Sequence, residues 1–221
     1  MLEAVIFDHD GVMVDTEPLQ SQAWIRILEN YGKIPEILEN GLVHKVGIAI
    51  DENWRILKSK YGIAENVEHL EEQRSGIYKE LLSQTQPMTG LMELLNRLRE
   101  EKKNKEIKLA IASSSNREYI EMVINNFGIA NDFDVIVSRK DVLAAKPAPD
   151  IYNRVACLLK VKPENSIVLE DSETGISAAI AARMRAIAIP NKYTKGQNFT
   201  NASWVFPALT HVDLPHIYSC L

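Results

Sequence analysis

Mostly apolar residues from Leu2 to Ile6 lead into Phe7-Asp8-His9-Asp10-Gly11-Val12, the pattern of a buried strand whose tip carries polar groups. The spacing then turns helical. Between Leu19 and Tyr31, apolar residues fall at Ala23, Trp24, Ile27, Leu28 and Tyr31, with Thr16 as expected N-cap, Glu17 and Pro18 in the first turn, and Gly32 as the stop. Further helices are predicted over about 35–44, 51–61 and 66–85, and no strand pattern appears between 16 and 87.

Beyond the breaks at Gln86-Pro87 and Thr89-Gly90 the pattern alternates. Helices are predicted over 91–101, 117–127, 149–160 and 174–183, and strands over 107–112, 135–138, 166–169, 186–189 and 204–206. Strand–helix alternation points to an α/β fold, a Rossmann-like parallel sheet with helices on both faces. The early helical stretch is too long for a simple crossover and is expected to be a small α-helical domain inserted after the first strand. The expected boundaries are 1–15 with 87–221 for a discontinuous core and 16–86 for the insert.

Composition changes this picture little. Hydrophobic residues make up 46% and charged residues 25%, ordinary for a globular chain. The net charge of −5 supplies no basic field for nucleic acid or an anionic membrane. The two cysteines, Cys157 and Cys220, suggest no disulfide framework, and the chain starts directly in a strand, so a cytoplasmic location is the default expectation. A monomer is the default expectation, since the sequence does not fix the oligomeric state.

Four strand or loop ends carry polar groups: Asp8 with Asp10, Ser113, Lys146, and Glu170 with Asp171. In an open parallel sheet, ligands collect beyond these ends. Each has a plain structural reading on its own: Asp-x-Asp-Gly as a turn, Ser113 as a helix cap, Lys146 as a solvated loop residue, Glu170-Asp171 as a polar strand end. Their order and joint occurrence favour chemistry.

With Asp8-His9-Asp10-Gly11-Val12, Leu109–Ser113, Lys146-Pro147-Ala148-Pro149 and Glu170-Asp171 in that order, the chain resembles the haloacid dehalogenase superfamily, in its phosphatase and phosphomutase branch. The resemblance spans nearly the whole chain, and the helical insert falls where that family carries a small cap, which would open for water and close over substrate. It implies that Asp8 is the nucleophile, forming an aspartyl-phosphate, and that Asp10 is the acid/base. It implies Mg²⁺ held by Asp8, Asp171, Glu170 and the backbone carbonyl of Asp10. Lys146 would balance charge between nucleophile and phosphate, and Ser113 would bind a phosphate oxygen with Ser114 and Asn116 beside it at a helix start. Gly175 matches a family glycine and is expected to allow close packing near the metal loop. Asp15 is expected to hold the loop after the first strand. Arg183 stands where relatives place glycine.

The carboxylate at Asp10 separates the chain from the dehalogenases. Phosphosugar mutases resembling beta-phosphoglucomutase typically carry a histidine where Gln20 stands and an arginine where Ile50 stands, which favours the phosphatase over the mutase. Within the insert, Gln20, Gly47 and Arg74 are the candidate substrate contacts, with Arg74 and Lys45 as cap-side charges or solvated surface residues. His44 and His69 are expected to be solvated, His211 and His216 to be surface or capping residues, and His9 to pack or mildly tune the site. The expected function is Mg²⁺-dependent hydrolysis of a small phosphorylated metabolite, foremost a sugar phosphate. A phosphosugar mutase and a non-catalytic phospho-ligand-binding or regulatory protein are the alternatives.

Overall fold

Strand β1 (Ala4–Phe7) is wholly buried, and it forms because its apolar run has partners on both edges. The computed structural model describes every residue except Gly47, Glu106 and Leu221, and the side chain of Lys105 is likewise outside the description. The chain divides into two units, Met1–Asp15 with Gln86–Leu221, and Thr16–Thr85.

In the first unit, β1 is followed after the insert by α4 (Leu91–Lys105), β2 (Lys108–Ala112), α5 (Arg117–Asn126), β3 (Val135–Val137), α6 (Asp150–Leu159), β4 (Ser166–Glu170), α7 (Glu173–Ala181), β5 (Arg185–Ala188), β6 (Trp204–Val205) and α8 (Leu214–Ser219). The sheet runs β3-β2-β1-β4-β5-β6, all parallel. The chain builds outward from β1 on one side, then returns to lay β4 on the other. The crevice beyond the tips of β1 and β4 is therefore the topological switch point, where open α/β sheets place their ligands.

Side-chain alternation gives the two faces of the sheet different characters. One face carries Val5, Phe7, Leu109, Ile111, Ile167, Leu169 and Ile187, packed with Leu91, Leu94, Leu95 and Leu98 of α4 and Ile120 and Ile124 of α5. The other carries Ala4, Ile6, Ala110, Ala112, Val168, Ala186 and Ala188, against α6 and the alanine-rich α7. The small residues on this second face suit close helix approach, which matters because α6 and α7 flank two of the polar ends.

The second unit holds α1 (Glu17–Asn30), α2 (Ile50–Tyr61) and α3 (Val67–Leu82) around Trp24, Ile27, Leu28, Trp54, Leu57 and Leu70. The helix predicted over 35–44 is absent. Asn40 accepts the Leu42 N–H, and Gly41 turns with φ +80°, so Leu38–Leu42 closes a tight turn instead. Thr16 occupies the N-cap of α1 but makes no side-chain capping bond, whereas Asn66 caps α3 by accepting the His69 N–H. Helix α8 has no counterpart in the hydrophobic pattern; Asp213 caps it.

Arg183 closes α7 in the left-handed region, at φ 63°, with its side chain exposed. A side chain there costs about 1–2 kcal/mol, part of which glycine returns through its freer unfolded chain. Arg183→Gly is expected to stabilise the protein by about 0.5–1 kcal/mol, a rise of a few degrees in Tm by calorimetry; an unchanged or lower Tm would show that the turn is unstrained.

Candidate active site

Four polar ends meet at the switch point. Asp8 follows β1, its N–H donating to the Leu169 carbonyl at 2.9 Å. Glu170 ends β4 and Asp171 follows it. Ser113 follows β2, with its N–H on the Val137 carbonyl at 3.0 Å. Lys146 comes from the loop between β3 and α6, where the Lys146–Pro147 peptide is cis.

The Lys146 ammonium sits between the two acidic strand tips. Its Nζ lies 2.6 Å from Asp8 Oδ1, 2.6 Å from Glu170 Oε1 and 3.3 Å from the Ala112 carbonyl, so all three donors of an ammonium are used. The Tyr152 ring lies below it, 5.2 Å from ring centroid to Nζ, and the Tyr152 hydroxyl donates to Glu170 Oε1. Glu170 Oε2 accepts from the N–H and the hydroxyl of Ser172, both at 2.9 Å. Glu170 is thus fully buried with both oxygens engaged. Gly175 makes room for it, since a Cβ there would stand 1.7 Å from Glu170 Oε1.

Asp10 is held from the other side. Its Oδ2 accepts hydroxyl bonds from Ser113 at 3.0 Å and Ser115 at 2.8 Å, while Ser113 Oγ accepts the Ser115 N–H. The Ser113 hydroxyl, expected to bind a phosphate oxygen, orients Asp10 in this arrangement. His9 is buried and neither ring nitrogen makes a hydrogen bond of good geometry, while its Nδ1 lies 3.3 Å from Asp10 Oδ2. Gly11, at φ +78°, brings its backbone against the Asp171 carboxyl, where a Cβ would lie 2.3 Å from Asp171 Oδ2.

Negative charge is in surplus. Burial, with Glu170 and Asp10 adding repulsion and Lys146 opposing it, pushes the Asp8 carboxyl up to about 7. Burial and the Glu170 and Asp8 carboxylates lift Asp171 well above the usual carboxylate range. Burial alone would lower Lys146, but Asp8 and Glu170 hold it well above its ordinary value, so it is a firm cation. One lysine cannot neutralise three buried carboxylates. Asp8, Glu170 and Asp171 each offer an oxygen within 4.8 Å of the others, and such an all-oxygen anionic set suits a hard divalent cation.

Sequence reasoning brought Asp8, Asp10, Ser113, Lys146, Glu170 and Asp171 together, and the fold does the same. Ser114 and Asn116 stand exposed at the start of α5, where Asn116 is the N-cap without a side-chain capping bond. Gly47 lies outside the described residues. The helical unit departs from expectation. Arg74 is fully buried, its guanidinium paired with both oxygens of Glu71 and donating to Gln20 Oε1 at 2.6 Å, over the ring of Trp24. It is neither a solvated charge nor an available anion contact, because Glu71 already neutralises it. His44 is buried too, with Nε2 2.9 Å from Glu17 Oε2, and is not solvated. His69 is half-exposed as expected. Three further residues border the site: Ser115, Tyr152 and Asn191, whose Nδ2 donates to Asp171 Oδ2 at 2.7 Å. Only Ser115 had a signal, its place in the Ser113–Asn116 run after a strand.

A family model described as haloacid dehalogenase-like hydrolase matches residues 5–189. The chain belongs to the haloacid dehalogenase-like hydrolase family. It is 35% identical over 192 residues to a phosphorylated carbohydrates phosphatase of Thermotoga maritima, covering 84% of each chain. It is 33% identical over 195 residues to a beta-phosphoglucomutase of Bacillus subtilis, covering 85% of this chain and 83% of that one. The crystal structure of a beta-phosphoglucomutase from Clostridium difficile superposes with a TM-score of 0.77 at 27% identity, covering 100% of this chain and 97% of that one. No described helix is long and apolar enough to cross a membrane.

The raised carboxyls set a pH dependence. A carboxyl at about 7 in the fold, against an ordinary 3.8, makes the metal-free fold lose stability as pH climbs from about 4 through about 7. The metal-free protein is expected to melt at a lower temperature at pH 8 than at pH 6, less so in Asp8→Asn. A divalent cation should narrow the gap and release protons at pH 6.5, measured by calorimetry in buffers of differing ionisation enthalpy. A metal-free Tm that rises from pH 6 to pH 8 would contradict this electrostatic reading.

Proposed function

We propose that the chain is a Mg²⁺-dependent phosphatase of small phosphorylated carbohydrates, working through an aspartyl-phosphate on Asp8. The observation that carries this reading is the buried Lys146 ammonium shared by Asp8 and Glu170, beside an Asp10 oriented by two serine hydroxyls. Asp8 is a carboxylate that must attack an anion, and Lys146 offsets the repulsion. Asp8 forms its oxygen–phosphorus bond as the ester oxygen leaves, and Asp10 gives that oxygen a proton. Water then attacks phosphorus, its proton passes to Asp10, and the Asp8 oxygen–phosphorus bond breaks. Backbone N–H groups at the start of α5, near Ser114 and Asn116, would take phosphate oxygens.

Asp8 and Asp171 would hold Mg²⁺, with the Asp10 carbonyl, and Glu170 would act through water because its own oxygens are engaged. When bound, the ion supplies charge neutralisation at the phosphoryl oxygens. The phosphatase relative supports hydrolysis of phosphorylated carbohydrates. The Gln20 carbonyl oxygen bound by buried Arg74, in place of the mutases' histidine, supports hydrolysis over mutase chemistry.

A panel of hexose, pentose and hexitol phosphates, nucleotides and phosphoglycolate, assayed for released phosphate with Mg²⁺ and with EDTA, tests the reading. Release from sugar phosphates is expected with Mg²⁺, lost in EDTA, and reduced at least about 10³-fold in Asp8→Asn. Release that survives Asp8→Asn would sink the mechanism. Interconversion of a hexose 1-phosphate and 6-phosphate, requiring a bisphosphate primer and giving no net phosphate, would install the mutase. Inactivity across the panel would point to a phospho-ligand-binding protein.

A further inference from the structure

The loop after β5 is built as a mount for the acidic tip of β4. The Ile189 N–H donates to the Glu170 carbonyl at 2.7 Å, carrying the chain past the tip. The turn at Asn191 is then fixed at several points. Its N–H donates to Thr194 Oγ1 at 3.0 Å, and its carbonyl accepts the Thr194 and Lys195 N–H groups. Thr194 is buried. Further on, Gln197 Oε1 accepts the Glu173 N–H, and Glu173 Oε2 accepts the Asn198 N–H. One loop thus grips the Asp171–Glu173 segment at both ends.

The orientation of the Asn191 carboxamide follows from its partners. Its Oδ1 accepts the Tyr193 N–H at 2.8 Å, and a backbone N–H can only donate. Its Nδ2 must therefore be the group 2.7 Å from Asp171 Oδ2, where a carboxylate can only accept. Gly11 closes the third side, since a Cβ there would stand 2.3 Å from Asp171 Oδ2 and 2.8 Å from Asn191 Nδ2. The Asp171 carboxyl is wedged between the loop of the nucleophile and one amide. It makes no other side-chain hydrogen bond among the described residues. An amide also suits the electrostatics: it orients the carboxylate without cancelling its charge, as a lysine or arginine would.

We propose that Asn191 is a positioning residue that sets the Asp171 carboxylate for a divalent cation, binding one oxygen and leaving the other to the metal. This rests on the reading of Asp171 as a metal ligand. Partners that orient a ligating carboxylate typically contribute 10–100-fold to metal affinity.

Mn²⁺ binding to the resting protein, followed by the loss of the free-ion EPR signal, tests this without substrate. Asn191→Leu removes both the arm and the turn bond. Asn191→Ser keeps a turn, because a serine hydroxyl can accept the Tyr193 N–H, but it cannot reach Asp171. Both variants are expected to raise the Mn²⁺ Kd about tenfold. Asn191→Ser should do so while still melting cooperatively, with a metal-free Tm lowered by no more than several degrees, the Mg²⁺ activation constant rising in parallel and substrate KM at saturating Mg²⁺ within about twofold of the parent. Should Asn191→Leu not fold, Asn191→Ser decides. An Asn191→Ser protein that binds Mn²⁺ as the parent does overturns the positioning role and leaves the phosphatase reading standing. A parent protein that binds no Mn²⁺ overturns the metal reading and this inference together.

Discussion

Everything at the switch point depends on one ammonium placed between two buried carboxylates. Lys146 reaches Asp8 and Glu170 at equal distances and is almost wholly shielded from water. Losing one partner of such a buried pair costs about 3–5 kcal/mol, because a charge is left unmatched in a poorly solvated place. The surrounding structure is arranged so that the lysine cannot leave: the Ala112 carbonyl takes its third donor, and the Tyr152 ring lies beneath it. Yet one cation does not balance Asp8, Glu170 and Asp171. The unmet negative charge suits a hard divalent cation, and it sets this cluster apart from a salt bridge that merely holds strands together.

Sheet topology supplies the geometry for this charge arrangement. Placing β1 centrally, with β2 and β4 on either side, brings residues more than a hundred positions apart to adjacent tips. Small residues on the α6 and α7 face accompany the helix that carries Tyr152. Gly11 and Gly175 serve the same end on a finer scale: each removes a Cβ that would collide with Asp171 or Glu170. The acidic tips are therefore held by absent atoms as much as by hydrogen bonds.

Much of this was legible in the sequence because it rests on local patterns. A parallel sheet writes itself as short apolar runs between amphipathic segments, and the polar strand ends stand out against them. The helical span over 35–44 misled because its apolar residues gave a spacing while Asn40-Gly41 set a turn. Arg74 could not be read as buried, since its guanidinium is neutralised by Glu71 in the same helix and shielded by Trp24, contacts that spacing alone does not assign. The same holds for His44 with Glu17, twenty-seven residues away. Asn191 was invisible for a related reason: its role arises from a loop lying across the tip of a neighbouring strand. The candidate catalytic residues sit at strand ends and show a pattern, whereas the groups that hydrogen-bond them arrive from elsewhere in the chain.

The division of labour between the two aspartates is most directly tested by trapping the intermediate. Protein mixed with Mg²⁺ and a turned-over sugar phosphate is quenched in acid, reduced with borohydride and mapped by peptide mass spectrometry. An acyl phosphate on Asp8 is reduced to homoserine, so the expected result is homoserine at position 8 and an unmodified Asp10. Homoserine at position 10, or none anywhere while phosphate is being released, would contradict Asp8 as the nucleophile that Lys146 is placed to serve.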